Sequence, residues 1–315
     1  MAYQYLTMLD LAKINAASNQ IVPLIEENLN AAPEVEVLPA RTVDRISFTT
    51  LVRTGYPSTG FRKVNEGVEP TKSTYVNKQF ECFYYDGQME VDVAAAKADD
   101  QGEAHALALE ADGHGRAFLL TAGKQVWYGN GTGGDASGFP GAVQLVDSGL
   151  TVDAGGTTAS TGSSVYAIVA LPKFFELILG RGMVMNVGEW RTQTITRSSK
   201  EMTAWKNSLE GWIGAAFYSK YAVGRIKKLT ADSGKGLTDS LLADLVNAFP
   251  VGVKPTHLFM SRRSRTQLQK ARSVTLFGQG TTRANQPAIA PVPTEYDGIP
   301  IIATDSISDT EALTL

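Results

Sequence analysis

The sequence predicts an α+β protein. Three observations lead to this class: an alternating strand pair in the first third of the chain, a long segment with a 3.6-residue apolar period, and a second half in which short strands and helices alternate. The chain has 315 residues and a mass of 33.8 kDa. This length allows two ordinary domains or one elaborated domain with a sizeable buried core.

The composition excludes several classes of protein. Hydrophobic residues make up 43% of the chain and charged residues 19%, so the chain should fold. With a net charge of -3, the chain lacks the excess of positive charge that is typical of a dedicated binder of DNA or of anionic membranes. Cys82 is the only cysteine, which excludes an intrachain disulfide. No secretory signal is visible, and the longest apolar run, Val165 to Leu171, is too short to span a bilayer, so we expect a soluble protein.

The first ninety residues predict an arm followed by a long hairpin. Residues 1–42 contain prolines that interrupt any long helix, so an extended arm is expected. Apolar and polar residues alternate from Arg45 to Val52, and a second β-rich leg runs from Ser73 to Tyr85. The segment between the legs, 54–72, reads as polar and is interrupted by glycine and proline. Loops of this length are usually functional or disordered.

A long helix is predicted from Asp99 to Trp127. Asp99 can cap its start, and apolar residues recur along it at helical spacing. Gly113 and Gly115 lie inside it, and each glycine costs about 1 kcal/mol relative to alanine in a helix interior. We therefore predict a bend at these glycines, with close approach of a neighbouring backbone as the alternative.

The rest of the chain predicts a linker and then a mixed unit. Residues 129–164 are rich in Gly, Ser and Thr, with one short strand expected at Ala142 to Val146. The elements predicted after it are strands at Val165 to Leu171, Ala215 to Ile226, Pro255 to Ser261 and Gly298 to Thr304, and helices at Thr238 to Phe249 and Ser264 to Arg272. Thr238 or Asp239 is expected to cap the first of these helices.

The sequence offers no catalytic machinery. Gly129, Gly131 and Gly134 match G-x-G-x-x-G, but that motif requires a strand before the glycines and a helix after them. Here a predicted helix precedes the glycines, so a linker is favoured over a nucleotide site. The histidines lack metal-ligand spacing, and no Ser lies in a nucleophile elbow. We expect no enzyme, no cofactor and no metal.

The densest basic cluster contains Arg262, Arg263 and Arg265. A solvated helix face is the favoured interpretation. Two other interpretations of the cluster stay open: a binding site for an anionic partner, and a positively charged rim that contacts a neighbouring subunit.

The order of these elements resembles the major capsid proteins of tailed bacteriophages, which have the Hong Kong 97-like fold. The more specific matching segments are Trp127 to Thr132, Trp212 with Ala222 to Ile226, Leu258 to Arg262, Tyr296 to Ile301, Thr304 to Ile307 and Thr310 to Ala312. The resemblance implies an N-arm at 1–42, an E-loop hairpin at 43–92, a P-domain spine helix at 93–128, a glycine-rich linker at 129–164, an A-domain with P-domain strands at 165–290 and a closing strand and tail at 291–315.

The resemblance also implies a function. Such a protein self-assembles into hexamers and pentamers of an icosahedral shell around double-stranded DNA, in the virion, after assembly in the host bacterial cytoplasm and maturation from a procapsid. A separate scaffolding protein and a portal are the expected partners, a decoration protein is left open, contact with DNA is expected to be weak and non-specific, and no membrane partner is expected. A bacterial nanocompartment (encapsulin-like) shell is the nearest competitor, and a nucleotide-binding enzyme using residues 129–134 is a more distant one.

Two details follow from the same comparison. The arm begins almost at Met1, so no maturation cleavage is expected, and Asn285 is the only asparagine after Asn247, which argues against covalent cross-links. The residues expected to make contacts between subunits at the E-loop are Arg53, Arg62, Lys63, Glu66, Glu69 and Lys72.

Overall fold

The structure is a computed structural model that describes residues 32–182, 186–278 and 290–314. Most of the predicted N-arm, and Asn285, lie outside these ranges. The elements in chain order are α1 (Glu34–Val37), β1 (Ala40–Thr42), β2 (Ser47–Gly55), β3 (Thr74–Glu81), β4 (Phe83–Asp92), α2 (Val93–Lys97), α3 (Glu103–Tyr128), α4 (Ala142–Leu145), β5 (Thr151–Asp153), β6 (Ser163–Ile168), β7 (Phe175–Leu179), β8 (Asn186–Val187), β9 (Arg191–Arg197), β10 (Lys200–Phe217), β11 (Val223–Leu229), α5 (Asp239–Asn247), β12 (His257–Met260), α6 (Arg262–Gly278), β13 (Glu295–Tyr296) and β14 (Ile299–Ala303).

The first sheet is organised around β10, an 18-residue strand. Its strand order is β1-β7-β10-β4, and β8 and β9 also pair with β10. The partner β4 runs antiparallel to it from Ala204 opposite Asp92 to Ile213 opposite Phe83. The sequence did not predict β7, β9 or the full length of β10. In β9 and the start of β10 the reason is that most residues are solvent-exposed and lack a clear apolar alternation.

The second sheet has the order β13-β14-β12-β6-β11-β5. All six residues of β6 are buried, as expected for a strand covered on both faces. The predicted single strand from Ala215 to Ile226 is wrong: β10 ends at Phe217 in the first sheet, and β11 begins at Val223 in the second. A turn closed by the bond from the Ala222 N–H to the Ser219 carbonyl separates them, so the predicted strand is two strands that lie in different sheets.

Helix α5 confirms the predicted Thr238 cap. The Thr238 hydroxyl accepts from the Leu241 N–H, and Leu242 and Leu245 are buried in the core of the second sheet. Helix α6 begins earlier than predicted, at Arg262 instead of Ser264. The reason is local: the Ser261 hydroxyl accepts from the Ser264 N–H at 3.2 Å, which is the geometry of an N-cap.

The long helix α3 runs for 26 residues, but it begins at Glu103 and not at the predicted Asp99. Gly102 precedes it with φ of 96°, a conformation that ends the short turn around Asp99. The opposite end is buried, and the indole of Trp127 stacks on the ring of Tyr166 with centroids 4.7 Å apart. The helix is therefore fixed to the second sheet at its C-terminal end.

The glycine-rich segment 129–164 is more ordered than the predicted linker. Phe139, Ala142 and Leu150 are buried in the core. The predicted strand at Ala142 to Val146 is wrong, since Ala142–Leu145 forms the short helix α4. The Gln144 side chain accepts from the Gly141 N–H at 2.9 Å and so stabilises a helical turn where propensity favoured a strand.

A buried polar network holds the C-terminal segment on this core. The Tyr128 hydroxyl donates to Glu311 Oε1 at 2.7 Å, and the Ser164 hydroxyl donates to Glu311 Oε2 at 2.6 Å. The guanidinium of Arg225 lies 3.4 Å from the same Oε2, and both charged side chains are almost completely buried. Burial raises the pKa of the Tyr128 phenol, which stays a neutral donor.

Candidate functional site

The predicted hairpin is confirmed as an antiparallel pair of β2 and β3, with Phe48 opposite Phe80 and Val52 opposite Val76. The predicted second leg, however, divides at Cys82. The Cys82 N–H donates to the Ile46 carbonyl at 2.7 Å, and after it the chain leaves the hairpin and enters the first sheet as β4. The hairpin is thus a separate two-stranded unit that projects from the first sheet.

The base of the hairpin is attached to the body by aromatic and cationic contacts. The Phe80 ring lies 5.0 Å from that of Tyr218, and the Arg41 guanidinium lies 4.8 Å above the Phe48 ring. The Lys78 ammonium donates to the Tyr218 carbonyl at 3.1 Å, and burial lowers the pKa of that ammonium. These contacts fix the direction in which the hairpin leaves the subunit.

The tip of the hairpin, residues 56–73, contains no strand or helix. It carries more apolar surface than its glycine, proline and charged residues suggest. Phe61 is fully exposed, and Tyr56, Val64 and Val68 are exposed as well. Sequence reasoning missed them because isolated apolar residues among glycine, proline and charges show no strand or helix period. Side chains of this kind, gathered on one loop, mark an interaction surface.

The charged residues predicted for this site lie on the same hairpin. Arg53 donates to the Tyr75 hydroxyl at 3.2 Å and lies over the rings of Tyr56 and Tyr75, while Arg62 donates to the Glu66 carbonyl at 2.7 Å. These two arginines therefore help to shape the tip itself. The remaining predicted residues are exposed to solvent: Lys63, Glu66, Glu69 and Lys72.

The spine helix α3 is α-helical through Gly113 and Gly115. A Cβ added at either glycine would meet nothing within 4 Å. Among the described residues, therefore, no neighbouring backbone uses the space that the glycines leave. His114, between them, is held by its own helix, with Nδ1 3.0 Å from the Glu110 carbonyl.

The three arginines of the basic cluster have different environments. Arg262 is exposed and lies 3.9 Å from Asp305. Arg263 links three segments of its own subunit, because its guanidinium donates to the carbonyls of Thr161, Leu229 and Asp309 at 2.7, 3.3 and 2.9 Å. Arg265 is half-buried. Arg263 thus stabilises its own subunit, and of the three arginines only Arg262 is exposed.

The glycines that resemble a nucleotide motif have a structural explanation. Gly129 ends the spine helix with φ of 58°, and a Cβ there would lie 1.9 Å from the Gly141 nitrogen. A Cβ at Gly134 would lie 1.9 Å from the Gly129 carbonyl oxygen. The spine helix ends at these glycines, whereas a phosphate-binding loop lies before the helix whose N-terminus it uses. Close packing of backbone against backbone is what these positions need.

Other reactive groups are arranged for structure. Burial raises the pKa of the Cys82 thiol to about 11, which makes it a poor nucleophile at neutral pH. In the described part of the chain no group of three or more His, Cys, Asp or Glu residues could hold a metal ion. Across the same ranges, no helix combines the length and apolar character needed to cross a bilayer.

Solved structures share this fold. A structure of bacteriophage Epsilon15 matches with a TM-score of 0.67 at 16% identity and covers 99% of this chain and 98% of that one. The capsid of bacteriophage JBD30 matches with a TM-score of 0.52 at 12% identity, covering 94% and 98%. The class that these matches define is therefore the mixed α+β, Hong Kong 97-like fold.

The family follows from the sequence. The family model described as major capsid protein GP7 matches residues 15–314, nearly the whole chain. The chain belongs to this family, and it is a major capsid protein of a tailed bacteriophage. No curated protein matches it. As a capsid subunit, the chain lies in the virion and assembles with copies of itself, as expected from the sequence.

Proposed function

We propose that this chain forms the hexamers and pentamers of an icosahedral shell that encloses a double-stranded DNA genome, and that the tip of the E-loop hairpin joins neighbouring subunits. The observation that carries the proposal is the exposed apolar set on the tip, with Phe61 fully exposed. A single subunit leaves these side chains in water. A neighbouring copy can cover them.

The apolar and the charged residues of the tip differ in how much they contribute to the free energy of association. Burying a side chain such as Phe61 contributes about 1.5–3 kcal/mol, and the tip carries several apolar side chains. The exposed charges, such as Lys63 and Glu69, contribute about 0–1 kcal/mol per surface pair. The apolar side chains therefore supply affinity, while the charges select the orientation of the neighbour.

The remaining partners are proposals of the same kind. A separate scaffolding protein and a portal would direct assembly in the host bacterial cytoplasm, and a decoration protein is compatible with the shell. The net charge of -3 supports weak, non-specific contact with the packaged DNA, since tight binding of phosphates requires clustered cations. The role is structural, without catalysis or cofactor.

We also propose that Gly113 and Gly115 let the spine helix bend while subunits rearrange from the procapsid to the mature shell. Support comes from the open space around both positions, since no atom in the described part of the chain would meet a Cβ there. Two helix-interior glycines lower local helix stability by about 2 kcal/mol together. A bend at this point therefore costs little.

Two variants of the tip test the assembly proposal. Deletion of 55–70, and the single substitution Phe61→Ser, should leave soluble subunits with unchanged circular dichroism that no longer form particles in size-exclusion chromatography and negative-stain microscopy. Val251→Ser is the matched control, because Val251 is as exposed as Phe61 but lies outside the hairpin, and it should assemble normally. Normal particles from both tip variants would refute this role of the loop.

A further inference from the structure

A carboxyl group is buried at the root of the N-terminal arm. Glu34, at the start of α1, has no exposed surface. Its Oε2 accepts from the Thr304 hydroxyl at 2.8 Å, but its Oε1 makes no hydrogen bond. The Trp127 Nε1 and the Ser306 hydroxyl are buried beside this carboxyl group, and neither makes a well-formed hydrogen bond. Uncompensated buried polar atoms are rare, and three in one place call for an explanation.

The spine helix has a notch that accepts this carboxyl group. A Cβ at Gly123 would lie 2.2 Å from Glu34 Oε1, 2.4 Å from the Ser306 Oγ and 2.9 Å from the Ala32 Cβ. Only glycine at position 123 leaves room for the side chain. One helical turn later, Trp127 contributes its indole to the same site. The arm root, the spine helix and the C-terminal segment therefore meet at Glu34.

In the described part of the chain, no cation is paired with Glu34. Ionisable residues on the surrounding elements include Glu36 on α1, Lys124 and Tyr128 on the spine helix, and Asp305 on the C-terminal segment. Glu36 and Lys124 are exposed, Tyr128 donates to Glu311, and Asp305 lies near Arg262. The pKa of Glu34 is raised by burial, and the nearby hydroxyl and indole groups lower it without cancelling that effect. Burial of an unpaired carboxylate is costly, so the neutral acid is favoured.

We propose that Glu34 is a proton-dependent anchor of the N-terminal arm: its neutral carboxylic acid holds the arm root in the Gly123 notch, and loss of the proton to solvent releases it. The sign follows from linkage. A carboxyl whose pKa is raised in the docked state contributes stability at low pH, and that stability is lost as the pH rises through the docked-state value. The inference rests on the subunit alone and is independent of the proposed role of the hairpin.

Hydrogen exchange of the full chain, followed by mass spectrometry and corrected for the intrinsic rate, tests this. Between about pH 5 and pH 8, protection of the amides of α1 should fall about tenfold per pH unit once Glu34 ionises. Glu34→Gln, which keeps the shape without the charge, should abolish this dependence. Glu36→Gln is the matched control on the exposed side of the same helix and should behave as wild type.

A second measurement keeps the test decisive if the glutamine variant fails to dock. Infrared spectroscopy of the wild-type chain should show the carbonyl band of a protonated buried acid, and that band should disappear as the pH rises together with the loss of protection. Gly123→Ala, whose Cβ occupies the notch, should remove both the band and the pH dependence. An unchanged pH dependence in Glu34→Gln, or the absence of the acid band in wild type at about pH 5, would overturn the proposal.

Discussion

Removal of the Glu311 carboxylate should destabilise the subunit more than the loss of any ion pair on its surface. Glu311 lies close to the C-terminus, yet its two oxygens bind Tyr128, Ser164 and Arg225, which are distant in sequence. Glu311→Ala deletes these contacts and leaves the Arg225 guanidinium, only 4% exposed, without its counter-charge. The perturbation therefore uncovers a buried charge and does not merely remove hydrogen bonds.

The expected loss is about 3–5 kcal/mol in the free energy of unfolding, the usual cost of breaking a buried pair by removing one partner. Replacement of both charges should restore most of it, because an apolar or neutral pair of similar size avoids the desolvation of two ions. The double variant Arg225→Met with Glu311→Gln should therefore unfold within about 1 kcal/mol of wild type.

Urea-induced unfolding of unassembled subunits, followed by tryptophan fluorescence and circular dichroism, measures these differences. The matched control is Lys254→Met, since the Lys254–Asp297 pair has N and O atoms 2.9 Å apart but both side chains more than half exposed. Its loss should stay under about 1 kcal/mol. A loss of less than about 1 kcal/mol for Glu311→Ala, or a double variant as unstable as the single one, would refute the reasoning.

Two further predictions concern the spine helix and a surface loop. Gly113→Ala with Gly115→Ala should raise subunit stability by about 2 kcal/mol in urea unfolding, because both added Cβ atoms enter open space. The same double variant should bias the helix toward a straight form in cryo-microscopy of particles. A wild-type spread of particle sizes would mean that the bend is not used. Asp232 accepts from the Thr158 hydroxyl at 2.6 Å, and this contact lowers its pKa to about 2. Because its pKa is lowered in the folded state, Asp232 contributes stability at pH values above 3.8, the ordinary pKa of the group, and this stability is lost as the pH falls through about 2. Hydrogen exchange at the Thr157 and Thr158 amides should therefore stay slow until that pH. Equal protection of these amides in Asp232→Ala would contradict this.

Local patterns in the sequence determined several elements. The alternation from Arg45 to Val52 predicted the first hairpin strand, and the Thr238 cap with its apolar period predicted α5. The spine helix was predicted with a start four residues too early and an end one residue too soon. These features depend on neighbours within a few positions in the chain, so strand alternation, helical period and capping chemistry are sufficient to identify them. The ordered set of elements also carried the resemblance to phage capsid proteins, which the family match confirmed.

The tertiary structure decided which residues are covered and which are not. Arg263 reads as a surface cation in the sequence, but three carbonyl groups from distant segments bind it. Glu34 and Glu311 read as ordinary surface acids, yet both are buried among groups more than eighty positions away in the chain. Phe61, which reads as one apolar residue in a polar loop, is left in solvent. No local period records these contacts, because burial is set by segments that meet only after the chain has folded.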